Sequence, residues 1–228
     1  MSRNDYYEEM KENARQLRER YGLTTPKISK ADVELILKDN NIELDLWVPE
    51  GIASPGFKVI RGAFIDDEYG STIMVDRNLP ESPAIFTIMH ELKHFFHDRH
   101  LGKIHCGDHN QREPIEIGAE VYAGESLFPD ADFQKALASM GIRSGQHCTP
   151  EDIVLLRHET EATLSYGGLT KKAEHLGFIR KGAFAGVKWR QIEQRIYGRT
   201  EYSQSYSSYK SRKKQALNDP NVVQLPLF

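Results

Sequence analysis

No apolar run in this chain of 228 residues approaches the roughly 20 residues needed to cross a bilayer. The start, Met1-Ser2-Arg3-Asn4-Asp5, lacks a secretory pattern. Both absences argue against membrane and exported classes and lead to the expectation of a cytoplasmic protein without membrane contact. Cysteine is equally scarce. Only Cys106 and Cys148 are present, far apart, which suits reduced thiols better than a disulfide framework. Stability must then come from burial, and the length suffices for one sizeable core or for a core with an appendage. Excess charge is also lacking, because the formal total is only −3. That total conceals an asymmetry. Through Ile179, 20 Lys and Arg stand against 30 Asp and Glu, a net of −10; from Arg180 onward, 10 against 3 leave +7.

What is present is His90-Glu91-Leu92-Lys93-His94, an H-E-x-x-H sequence. On an α-helix, residues four apart share a face, so both imidazoles point into one small volume and can grip one metal ion. Zinc is the expected ion. Glu91 adjoins the first ligand, where its carboxylate can take a proton from a water that the cation acidifies. The motif therefore reads as that of a metallopeptidase. The flanks support a helix: Ala84 to Met89 before it and Phe95-Phe96 after it carry apolar residues at helical spacing. Ser82 is expected as N-cap, with Pro83 at the first helical position. The bland reading is a core helix with two hydrogen-bonded histidines.

A catalytic site of this kind needs a third protein ligand. The candidates lie between Glu113 and Pro129, where Pro114 opens a helix. Small residues at Gly118, Ala119, Ala123 and Gly124 are expected to let that helix pack closely on the metal helix. A Glu on the contact face would reach the ion. His97, seven residues after His90, falls near the same face but is kept out of the ligand set. Tyr122, His100, His105 and His109 are candidate donors to a developing oxyanion.

With these residues the chain resembles the bacterial ImmA/IrrE-type metallopeptidases, in which the H-E-x-x-H helix is followed by a helix of the form E-x-x-A-x-x-F-A-x-E-L-L-x-P. Here the second motif reads from Glu116 through Ala119, Tyr122, Ala123 and Glu125 to Pro129. The resemblance implies that His90, His94 and Glu116 hold zinc and that Glu91 is the general base. Glu120 stands where the family commonly has Asn and is the alternative ligand. Tyr122 replaces a common Phe, and Ser126 a common Leu. The likeness extends over Gly70 to Pro80 and, more weakly, over Thr163 to Leu169 and Leu176 to Ile179, and so spans about residues 10 to 180. It implies a zinc endopeptidase that cuts a repressor-like, helix-turn-helix transcriptional regulator in a mobile-element or stress circuit. The alternative is a zinc-containing regulator or antirepressor that binds a DNA-associated partner without cutting.

Periodicity predicts helices over 5–21 and from Ser29 through Leu37, strands over 42–48, 58–65 and 71–75, and a turn at 66–70. Further helices are expected over 130–140, 151–157 and 163–176. The expected fold is α+β, a small antiparallel sheet ahead of a helical half carrying a zincin-like H-E-x-x-H helix. Residues 1–179 form the expected metallopeptidase domain and 180–198 a basic helical extension. Residues 199–228 are a polar, repetitive tail expected to be disordered. Its interleaved Tyr and basic residues suit weak nucleic-acid contact, against the alternative of a solvated linker. The chain ends in Gln224-Leu225-Pro226-Leu227-Phe228, which resembles the short peptides that dock on the bacterial DNA sliding clamp. That resemblance implies clamp contacts by Gln224, Leu225, Leu227 and Phe228.

Overall fold

A computed structural model of the chain describes residues 2–47, 61–99, 113–145 and 148–198. The element order is α1 (Arg3–Arg20), α2 (Lys30–Asp39), β1 (Ile42–Trp47), β2 (Gly62–Asp67), β3 (Gly70–Asp76), α3 (Glu81–Lys93), a π-helical turn (His94–Asp98), α4 (Glu113–Leu127), α5 (Asp130–Ser139), α6 (Pro150–Thr160), α7 (Tyr166–His175) and α8 (Trp189–Tyr197). The class is α+β, with a three-stranded sheet beside a helical majority. No helix among the described residues is long and apolar enough to cross a membrane.

Local chemistry sets most helix starts. Ser2 with Asp5, Ser29 with Asp32, and Thr149 with Asp152 form reciprocal capping boxes, each satisfying donors that a helix start leaves orphaned. The first box moves the start of α1 ahead of residue 5, to Arg3. In α7 the Ser165 hydroxyl accepts from the Gly168 amide, so that helix begins at Tyr166 rather than at residue 163. The helix α3 departs from expectation as well. It begins at Glu81 behind Pro80, which makes no side-chain cap; Ser82 is inside the first turn. Pro83 is tolerated there because amides of the first turn have no intrahelical acceptor.

The sheet order is β1-β3-β2. β2 and β3 form the expected antiparallel hairpin, with Asp67 paired to Gly70. The turn is thus tighter than 66–70, and Asp66 is still a strand residue facing Ser71. β1 differs from the all-antiparallel expectation: it runs parallel to the central strand, Ile42 opposite Ser71 through Trp47 opposite Asp76. Parallel neighbours need a long crossover, and the residues between Trp47 and Gly70 supply the length.

The core gathers on both sides of α3. One side meets β2 and β3, the other meets α4, and α4 packs in turn on α1. Ile73, Val75, Met89, Leu92, Tyr122 and Ala123 are fully or almost fully buried between them. Charged groups tie the outer helices to this centre. Arg15 of α1 reaches Glu125 of α4 at 2.9 Å, and Asp130 at the start of α5 pairs with Lys11 at 2.9 Å and with Lys172 of α7. Cys148 is free and buried, and its burial pushes the thiol up to about 12; Cys106 lies outside the described residues.

Candidate metal centre

α3 and α4 bring His90, His94 and Glu116 to one point. The Nε2 atoms of the two histidines lie 3.4 Å apart; His90 Nε2 is 3.4 Å from Glu116 Oε2, and His94 Nε2 is 3.6 Å from Glu116 Oε1. Zinc bonds of about 2.0–2.1 Å at tetrahedral angles place ligand atoms roughly 3.3–3.4 Å from one another. The observed triangle matches that spacing. Glu116 Oε1 is buried and has no hydrogen-bond partner among the described residues, a costly state for a carboxylate oxygen. Two imidazole nitrogens and a carboxylate converging in this way could hold a divalent metal ion.

Electrostatics act within the cluster. Burial disfavours the charged form of His90, but its hydrogen bond to Glu116 and the charges of Glu91, Glu116 and Glu120 hold it above the ordinary histidine value. Glu116 is likewise pushed up by burial and pulled further down, below its ordinary value, by His90, His94 and Lys93.

His94 is fixed from behind. Its Nδ1 donates to Asp98 Oδ2 at 2.6 Å, both groups buried, which leaves the Nε2 lone pair directed at the cluster. A carboxylate behind a ligating histidine sets its tautomer and ring orientation. The same Oδ2 accepts from Lys93 Nζ at 2.6 Å. Lys93 is fully buried, also donates to the Ile115 carbonyl at 3.3 Å and lies over the Tyr6 ring. Neither Lys93 nor Asp98 was anticipated as part of the site. Asp98 carries a readable signal, because it stands four residues after His94 on a continuous helical segment.

Glu91 is almost fully buried, and its carboxylate points towards β2. A Cβ added to Gly62 would lie 3.2 Å from Glu91 Oε1 and 2.3 Å from Thr87 Cγ2. Gly62 is therefore what allows α3 to sit this close to the sheet. A Gly inside a strand pattern is the ordinary mark of such an approach.

The remaining candidates separate. Glu120 lies one turn beyond Glu116, is exposed, and pairs with Lys171 at 3.3 Å; it is not in the metal cluster. His97 packs its ring against Tyr122 at 5.7 Å, and burial together with Lys93 lowers its pKa. The π turn explains its place, since extra residues per turn carry position 97 off the ligand face. Tyr122 is buried beneath it rather than open to the site. His100, His105, His109 and the C-terminal Gln224, Leu225, Leu227 and Phe228 lie outside the described residues. The small residues of α4 divide between two neighbours. Ala119 and Ala123 share the face of Glu116, whereas Gly118 faces α1: a Cβ there would lie 2.7 Å from the Tyr6 ring and hydroxyl. Gly124 has nothing within 4 Å of an added Cβ, so close packing does not require it.

An α+β fold in which a helix carries H-E-x-x-H and the next helix adds a Glu to the two histidines is a metallopeptidase-type domain. Residues 54–143 match the family model described as the IrrE N-terminal-like domain, Peptidase_M78, a match that supports the ImmA/IrrE-type resemblance and covers His90, Glu91, His94 and Glu116. No curated protein matches the chain.

Proposed function

We propose that the protein is a zinc-dependent endopeptidase, and the observation that carries this reading is the triangle of His90, His94 and Glu116 beside buried Glu91. Zinc held by the three residues would supply a Lewis acid for the scissile carbonyl and acidify water. Glu91 takes the proton of the attacking water and returns it to the leaving nitrogen. Asp98 keeps the His94 proton on Nδ1, and Lys93 holds Asp98 in place. Gly62 leaves Glu91 the room it occupies. The family resemblance points to a helix-turn-helix repressor as the protein substrate, met in the cytoplasm. The C-terminal residues Gln224 to Phe228 form a separate docking peptide for the sliding clamp, supported by their likeness to such peptides.

The deciding experiment uses the full chain, its zinc content, and a candidate repressor as substrate. Wild type is expected to bind one zinc and cut; Glu91→Gln is expected to keep zinc and lose cutting, because only the proton acceptor is removed. Retained cutting by that variant would overturn the mechanism. A wild type that holds zinc and binds the repressor without cutting it would favour the non-catalytic regulator.

A further inference from the structure

The C-terminal helix α8 sorts its residues by charge. Trp189, Ile192, Glu193 and Ile196 form the inward face, whereas Lys188, Arg190, Gln191, Gln194 and Arg195 are exposed. Glu193 is the sole acidic residue between 180 and 198. It is buried, and its Oε1 accepts from the Tyr166 hydroxyl at 2.9 Å. The outer face therefore presents only cations and amides. Among the described residues, its one ion pair to a carboxylate joins Arg195 to Glu151. The helix also borders a cleft of about 450 Å³ with Lys188, Gln191 and Arg195 along it and Pro150, Val187 and Ile192 between them.

Arg, Lys and Gln on an exposed helix are the side chains that contact phosphate oxygens. The rest of the chain, net −10 through Ile179, repels a polyanion, so any attraction must come from this end. The aromatic residues of α8 bear on which nucleic acid it would hold. Trp189 stacks on Tyr166 at 5.2 Å and 15°, and Tyr197 on His158 at 4.0 Å and 15°. Both rings are occupied within the protein. Single-strand binding draws on aromatic rings free to stack on bases, whereas both rings of this helix already stack on partners within the protein. A duplex asks only for backbone contacts.

We infer that the outer face of α8 binds the phosphate backbone of double-stranded DNA without sequence preference. Arg199, Lys210, Arg212, Lys213 and Lys214 follow in the sequence. Such a contact holds the protein near DNA-bound partners, independently of whether its metal centre cuts them.

The test is fluorescence anisotropy of the full-length protein with labelled mixed-sequence DNA of about 20 base pairs, and with the corresponding single strand, across a salt series. Binding to duplex is expected to weaken with salt, each phosphate contact adding about 0.9 to the log–log slope. The double variant K188Q/R190Q should lower that slope by about 1.8 and weaken binding at about 50 mM salt by at least tenfold. The exchange K188R/R190K should leave binding intact, because charge rather than shape is used. All substituted side chains are exposed, and melting curves report whether the fold is kept. Absence of duplex binding at about 100 µM protein at that salt, an unchanged slope in the glutamine variant, or tighter binding to the single strand would each overturn the inference.

Discussion

Asp98 Oδ2 accepts two hydrogen bonds of 2.6 Å, one from His94 Nδ1 and one from Lys93 Nζ. The oxygen that orients a metal-cluster histidine is thus itself held by a buried cation. Loss of Asp98 should release the His94 ring while leaving all three candidate ligands present. Asp98→Asn is expected to weaken zinc binding by about 10- to 100-fold, measured by competition with a chromophoric chelator. Unchanged affinity would remove Asp98 from the site.

The third ligand is tested by comparing two glutamates one turn apart. Glu116→Ala should lose most zinc affinity, because it removes the only cluster carboxylate among the described residues. Glu120→Ala should retain it, because that side chain faces solvent and Lys171. Metal analysis after dialysis distinguishes them, and the reverse result would transfer the ligand role to Glu120.

Gly62→Ala should strain the contact between β2 and the metal helix. The new methyl would meet Thr87 Cγ2 at 2.3 Å, the Met74 carbonyl at 3.1 Å and Glu91 Oε1 at 3.2 Å. Overpacking of this kind costs about 1–3 kcal/mol. Thr87→Ser removes the nearest carbon while keeping the hydroxyl that donates to the Pro83 carbonyl. The double variant is therefore expected to recover part of the loss in chemical denaturation, and additive losses would show that Thr87 is not the obstacle.

Asp130 supplies a pH dependence of stability. Burial raises its pKa, but Lys172 and Lys11 outweigh that and hold it at about 2, below the unfolded value of about 3.9. A depressed carboxylate stabilises the fold above its unfolded pKa, and that contribution is lost as pH falls through the folded value. Stability should therefore drop between about pH 4 and pH 2. Asp130→Asn is expected to be less stable by about 2–3 kcal/mol at neutral pH and to have a shallower acid limb in urea melts followed against pH.

The C-terminal docking peptide is tested apart from the enzyme. A peptide of residues 215 to 228 should bind purified sliding clamp, and changing Leu227 and Phe228 to Ala should abolish binding because these residues supply the apolar anchors. Equal binding by the altered peptide would refute the motif.

The linear chain by itself determined the features that depend on neighbours within a few residues. The Ser-x-x-Asp and Thr-x-x-Asp starts specify their caps, and the four-residue offset of His90 and His94 places both rings on one side of a helix. The likeness around Glu116 also named the residue that joins them. Only the tertiary structure shows that Glu116 rather than Glu120 lies beside the two histidines, because one face of α4 carries both and the crossing with α3 selects the turn that meets them. It also gave Gly118 to Tyr6 of α1 instead of to the metal helix, since small residues advertise close packing without saying against what. The parallel pairing of β1 with β3 was hidden for a related reason: alternation along a strand is the same whichever way its partner runs. The buried Lys93 shows the limit most directly. A lysine in the variable part of a motif reads as solvent-facing, and it becomes an interior charge because Asp98, the Ile115 carbonyl and the Tyr6 ring arrive from three different segments of the chain.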